Sequence, residues 1–179
     1  MASLDELLTR PQSKSNAAQM GKIILADKTA YVALIKMVLG KDELLAQKAA
    51  WPLGAVGYER PEWSKPYHRK LLEKLHHPCH NAIKRGITRL FEFMDVKPSE
   101  MSYALDTFIH LINDHKEAIA VRAFSMSCAY RIVQKEPELS GEFELILRNA
   151  MNSDIPALVA RGRNLLKDMQ KKGWIEKKS

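Results

Sequence analysis

Apolar residues recur along this chain at helical spacing. Tyr31, Leu34, Ile35 and Val38 fall at i, i+3, i+4 and i+7, one stripe of a helix that stops at Gly40. The same spacing returns in Tyr67, Leu71, Leu72 and Leu75, and again in Ile83, Ile87, Leu90, Phe91 and Met94. Met101, Leu105, Phe108, Ile109 and Ile112 repeat it, as do Phe143, Ile146, Leu147, Ala150 and Met151. No segment alternates apolar and polar residues between turn residues, as a half-buried strand would. The pattern predicts an almost wholly helical chain of about five helix pairs joined by short turns.

Polar and helix-breaking residues set the boundaries. Ser3, with Glu6 three residues on, forms a capping box for a short helix through Leu4, Leu7 and Leu8 that ends at Pro11. Ser15 is expected to cap a second helix through Met20, Ile23, Ile24 and Leu25. Asp42 should cap the helix carrying Leu45, Ala49, Leu53 and Val56, and Pro52, which has no N–H, should kink it. Ser64 is expected to cap a helix with Pro66 in its first turn, and His77-Pro78 to break it. Asn113-Asp114 and Asn152-Ser153-Asp154 turn the chain within the last two pairs. The last helix is expected over 155–169, followed by a basic, mobile tail.

A second periodicity overlies the first. Arg122-Ala123, within Ala118–Ser127, recurs as Arg85-Gly86 and Arg161-Gly162, and more loosely as Lys48-Ala49, at a spacing of about 37 residues. A very small residue stands wherever neighbouring helices must approach closely. A lone helix pair cannot bury its apolar face, but stacked pairs share a continuous core.

A short turn, often with Asp, followed by a helix of small and aliphatic residues around an Arg resembles a HEAT or armadillo-type repeat. Asp114–Met126 is the best copy, Asp154–Leu166 and Asp42–Leu53 are fair ones, and His77–Leu90 lacks the turn Asp. The Gln47–Trp51 segment also resembles one in small, uncharacterised bacterial HEAT-like proteins. The resemblance implies an all-α fold, an α-α superhelix of the ARM/HEAT solenoid type. It implies one such domain over 1–170 and a basic C-terminal tail over 171–179. It further implies that the second helices line a concave surface.

Charge adds one direction to this picture. The chain of 179 residues carries a formal net charge of +7, which suits an anionic partner such as an acidic protein, nucleic acid or lipid headgroups. Cys79 and Cys128 are too few for a disulfide framework and read as reduced thiols. No basic-then-apolar signal opens the chain, and no apolar run approaches the ~20 residues of a membrane span. The expectation is a cytoplasmic protein with no membrane partner.

The candidate binding residues on the concave face are Lys48, Trp51, Arg85, Arg89, Arg122 and Arg161. A row of basic side chains could hold phosphates or a partner's carboxylates. Each Arg could instead bond the turn Asp or a helix-end carbonyl of a neighbour and so serve stacking. Arg89 and Arg163 lie off the repeat equivalence and are the better candidates for partner-seeking charge. Lys65–Lys97 is rich in Lys and Arg, and reads either as a nucleic-acid patch or as the solvated face of two helices. His76-His77-Pro78-Cys79-His80 has metal-ligand types without metal-ligand spacing, so no metal is expected.

Catalytic motifs are absent: there is no Gly-x-Ser-x-Gly, P-loop or dinucleotide fingerprint. The signature loop of the fumarase-type helical lyases has no counterpart; Ser125-Met126-Ser127 lies inside a repeat helix. The reading is therefore a non-enzymatic scaffold, without a cofactor, that binds a protein partner. The alternative is nucleic-acid binding in the manner of the HEAT-like DNA glycosylases, for which Trp51 and Asp114 are the nominal site residues.

Overall fold

The computed structural model describes residues 4–11 and 13–176; the proposed Ser3 cap and residues 177–179 lie outside them. Helices and short turns make up the described chain, and it contains no strand. Close contacts divide it into two units, one ending at Asp95 and one beginning at Val96.

The N-terminal unit holds α1 (Leu4–Thr9), α2 (Lys14–Ala26), α3 (Lys28–Leu39), α4 (Glu43–Ala50), α5 (Leu53–Glu59), α6 (His68–His76) and α7 (Asn81–Phe91). The cap of α2 is Ser13, not Ser15. Ser13 sits in extended backbone where its Oγ accepts from Asn16 N at 3.1 Å, whereas Ser15 is already inside the helix. Asp27 caps α3 and Asp42 caps α4, each carboxylate accepting a backbone N–H of the first turn. Pro52 does more than kink its helix. It ends α4 at Ala50 and begins a separate helix, α5.

The expected cap at Ser64 is also replaced by something else. Residues Pro61–Tyr67 form a 3-10 segment, and α6 starts after it without a side-chain cap. Ser64 is wholly buried, its hydroxyl sharing a 2.6 Å hydrogen bond with Tyr31 Oη. That contact ties the 3-10 segment to α3, and burial pushes the Tyr31 phenol well above its ordinary pKa.

Stacking follows the repeat logic. First helices α3 and α6 pack together, while α7 packs on both α4 and α5, and α5 packs on α2. Gly86 makes the closest approach: a Cβ there would meet the Ala50 carbonyl oxygen at 2.3 Å. Two polar ties join the turns of these pairs. Lys74 Nζ donates to Gly40 O at the end of α3 (3.3 Å), and His80 N donates to Glu43 Oε1 at the start of α4 (2.9 Å).

The C-terminal unit contains α8 (Met101–Asn113), α9 (Ile119–Val133), α10 (Ser140–Met151) and α11 (Pro156–Lys171). Helix α9 packs on α8, α10 and α11, and its buried residues run around its circumference. Residues 171–176 are not a loose tail. Gly173 turns the chain at φ 72°, a left-handed conformation suited to glycine, and Trp174 N donates back to Met169 O at 3.0 Å. Trp174 then rests beside the Tyr130 ring, and its carbonyl accepts from Ser140 Oγ at 3.2 Å. An aromatic surface on α9 and α10 is what recruits this segment.

Candidate functional site

The two units place the six candidate residues in different settings. Lys48 lies on α4 at the edge of a shallow groove of about 350 Å³, floored by Leu8, Met37, Leu44 and Leu45. Asp42 also lines that groove, but its carboxylate is engaged in capping α4. Trp51 follows α4 directly and is half-buried. Arg85 and Arg89 lie on α7, exposed and one turn apart, so they share a face. Lys48 and the α7 arginines are thus not one constellation: Lys48 borders α1 and α3, whereas Arg89 crosses α5.

Arg89 is not the freely moving charge that its position off the repeat suggests. Its stem lies across Gly54 of α5, where an added Cβ would meet Cγ at 2.7 Å. Its guanidinium stands 4.7 Å from the centre of the Phe93 ring and forms an ion pair with Glu92. Tyr58, at the end of α5, makes a T-shaped contact with the same Phe93 ring, with centroids 5.5 Å apart and planes at 86°. Tyr58 is 69 % exposed and Arg89 keeps 45 % of its side chain exposed. Phe93 escaped the sequence reading, although its i+4 spacing from Arg89 was a usable signal. Arg85 makes no ion pair with the described residues and points its charge outward.

In the C-terminal unit, Arg122 is 2 % exposed, and its Nε donates to Ile112 O at 2.9 Å. Ile112 O is one of the carbonyls left open by the end of α8, so the guanidinium joins the two helices of one pair. Burial removes Arg122 from any set of partner-contacting residues. Arg161 is half-buried; it bonds Ser127 Oγ and lies 6.0 Å from the Phe124 ring centre. Arg163 remains exposed on α11. Arg122 and Arg161 both reach towards α8 or α9 of their own unit, which is the stacking role weighed against binding.

A polar cluster closes the end of α11. Tyr130 Oη donates to Asp168, and Lys172 Nζ lies 3.0 Å from Asp168 Oδ2 and 3.2 Å from Tyr130 Oη. The ammonium is also 4.7 Å from the Trp174 ring centre. Burial and then the Asp168 bond raise the Tyr130 pKa, so the phenol is held protonated and not activated. The Tyr130 and Lys172 hydrogen bonds lower the Asp168 pKa. Burial opposes the charge on Lys172, but Asp168 and Tyr130 outweigh it and raise its pKa.

The histidine-rich turn works as a helix boundary: His80 Nδ1 accepts from Ala82 N at 3.1 Å and caps α7. Among the described residues no three His, Cys, Asp or Glu side chains are grouped to hold a metal ion. Within the basic stretch, Lys74 is bonded to Gly40 O, Arg69 is paired with Glu73 and Arg89 with Glu92. No described helix is long and apolar enough to cross a membrane.

Short helix pairs stacked through small residues define a helical repeat protein. A family model of the HEAT repeat domain matches residues 4–169, and the chain belongs to that family. A repeat scaffold is what that fold provides. Comparison with curated proteins found no match, and comparison with solved structures found none.

Proposed function

We propose that the chain is a non-catalytic scaffold that binds a protein partner through the second helices of its repeats. One observation carries this reading. On α5 and α7, exposed Tyr58, Arg85 and Arg89 stand on a frame held by close contacts, Gly86 against Ala50 and Gly57 against Leu90. Tyr and Arg on a rigid support are the residue types that concentrate binding energy in protein interfaces. Of the six residues expected to bind, Arg85 and Arg89 anchor the proposed surface. Lys48 borders the separate groove by α1 and α3, Trp51 lies between α4 and α5, and Arg161 belongs to the other unit.

Nucleic-acid binding is the competing outcome. A phosphate backbone needs a continuous positive track, whereas this surface mixes Arg with exposed Glu59, and Arg89 is already ion-paired with Glu92. Photo-crosslinking in extract of the source cells tests the reading. A benzophenone amino acid at position 55 or 85, both exposed, is expected to give discrete protein adducts. The same probe at exposed Glu142 should give none. Adducts to nucleic acid alone, or equal labelling from every position, would refute it.

A further inference from the structure

The Tyr58, Phe93 and Arg89 cluster is more specific than a generally sticky surface. Arg89 is fixed from three sides: Gly54 takes its stem, Phe93 its guanidinium face, and Glu92 its edge. A guanidinium ordered in advance loses little freedom when it meets a carboxylate, and its planar fork suits that group. Beside it, the Tyr58 ring is braced by a T-shaped contact with Phe93 and open to solvent across most of its surface. Arg85, one turn earlier on the same face, adds an exposed positive charge with no ion pair among the described residues.

We propose that Tyr58, Phe93, Arg89 and Arg85 form a docking site for a segment of a partner protein that carries an apolar or aromatic side chain next to a carboxylate. The apolar group packs on Tyr58 and Phe93, and the carboxylate meets the solvent-exposed part of the Arg89 side chain and is drawn in by Arg85. The proposal rests on the scaffold reading and names the chemistry of its partner. Glu92, paired with Arg89, lowers the local positive charge and so disfavours a run of phosphates.

The test pans the full chain against a phage-displayed library of short random peptides, then measures selected peptides and an oligo-dT strand by fluorescence anisotropy. Variants are Tyr58→Ala, Arg85→Glu and Arg89→Lys, each checked for native circular dichroism. Enriched peptides are expected to place Asp or Glu beside an apolar residue. Tyr58→Ala should weaken them about tenfold or more. Arg89→Lys should weaken them too, because an ammonium cannot reproduce the planar fork. Arg85→Glu should act mainly at low salt.

Peptides bound equally well by Tyr58→Ala and Arg89→Lys would overturn this site while leaving the scaffold reading to the crosslinking result. A library that yields no enriched sequence overturns the site, and so does oligo-dT binding more tightly than any peptide.

Discussion

Three glycines on helices provide a graded test of the packing argument, because the same substitution should have three different outcomes. Inside a helix, as at Gly86 and Gly162, Gly→Ala gains about 0.8–1.0 kcal/mol of helix propensity, and in the first turn of α10, at Gly141, it gains less. At Gly86 the new methyl would stand 2.3 Å from Ala50 O, 2.8 Å from Ala50 Cβ and 2.9 Å from Ala50 C. Two of those atoms are backbone, so α4 and α7 must separate. Overpacking of this kind costs about 1–3 kcal/mol and sometimes more. Gly86→Ala should therefore destabilise by up to about 2 kcal/mol net.

At Gly162 the obstacle is the side chain of Met151, with Sδ at 2.5 Å and Cγ at 2.6 Å, and no backbone atom; an unbranched Met can change rotamer to make room. Gly162→Ala should be close to neutral. Gly141 has nothing within 4 Å, and Gly141→Ala should stabilise by up to about 1 kcal/mol. Urea unfolding followed by circular dichroism gives all three values with their slopes. If Gly86→Ala matches the wild type while Gly141→Ala destabilises, the assignment of small residues to close helix approach is wrong.

Four further outcomes follow. Arg122→Ala removes a buried, charge-assisted hydrogen bond to Ile112 O and should cost about 1.5–3 kcal/mol, with peptide binding unchanged; lost binding at unchanged stability would return Arg122 to the contact surface. Tyr31→Phe should cost about 1–2 kcal/mol by orphaning Ser64, and adding Ser64→Ala should cost less than the separate effects imply; strict additivity in the double-mutant cycle would show that the bond is not shared. The Asp168 pKa is lowered below 3.8 in the fold, so its stabilisation of the end of α11 is complete above that value and is lost as pH falls through the lower folded one. Tyr130 and Lys172 are raised, so their contribution is complete below the ordinary values of 10.0 and 10.5 and is lost as pH rises through the folded ones. Trp174 fluorescence in a Trp51→Phe, Trp63→Phe background should change at both extremes and stay flat between; a transition near neutrality would contradict this assignment.

Helical periodicity carried most of the architecture. The stripe through Tyr31 and Val38 becomes α3, and the spacing of Arg122 and Arg161 marks α9 and α11. Local propensity did less well wherever a distant partner decides the outcome. Ser64 has a good capping residue's chemistry, but Tyr31 lies 33 positions away in sequence and claims its hydroxyl. Trp174 looked like tail until Tyr130 and Ser140 supplied a surface for it. The candidate site was legible only as residue types. The 37-residue period identified Arg122, yet periodicity alone could not say whether its guanidinium faces solvent or the end of α8. Arg89 stood outside the period, and what fixes it comes from two places, Gly54 on α5 and Phe93 in the turn after α7.

The break at Pro52 also bears on whether these repeats are modules. Consensus repeat proteins tolerate duplication, deletion and exchange of units because each joint is the same. Here α7 meets two short helices instead of one continuous rod. At that joint Gly86 faces the Ala50 backbone, whereas in the C-terminal unit Gly162 faces Met151. A copy of α3–α5 spliced in place of α10–α11 would bring a broken helix to a surface shaped for an unbroken one. These two joints are particular to their positions, so α3–α5 and α10–α11 are not interchangeable modules.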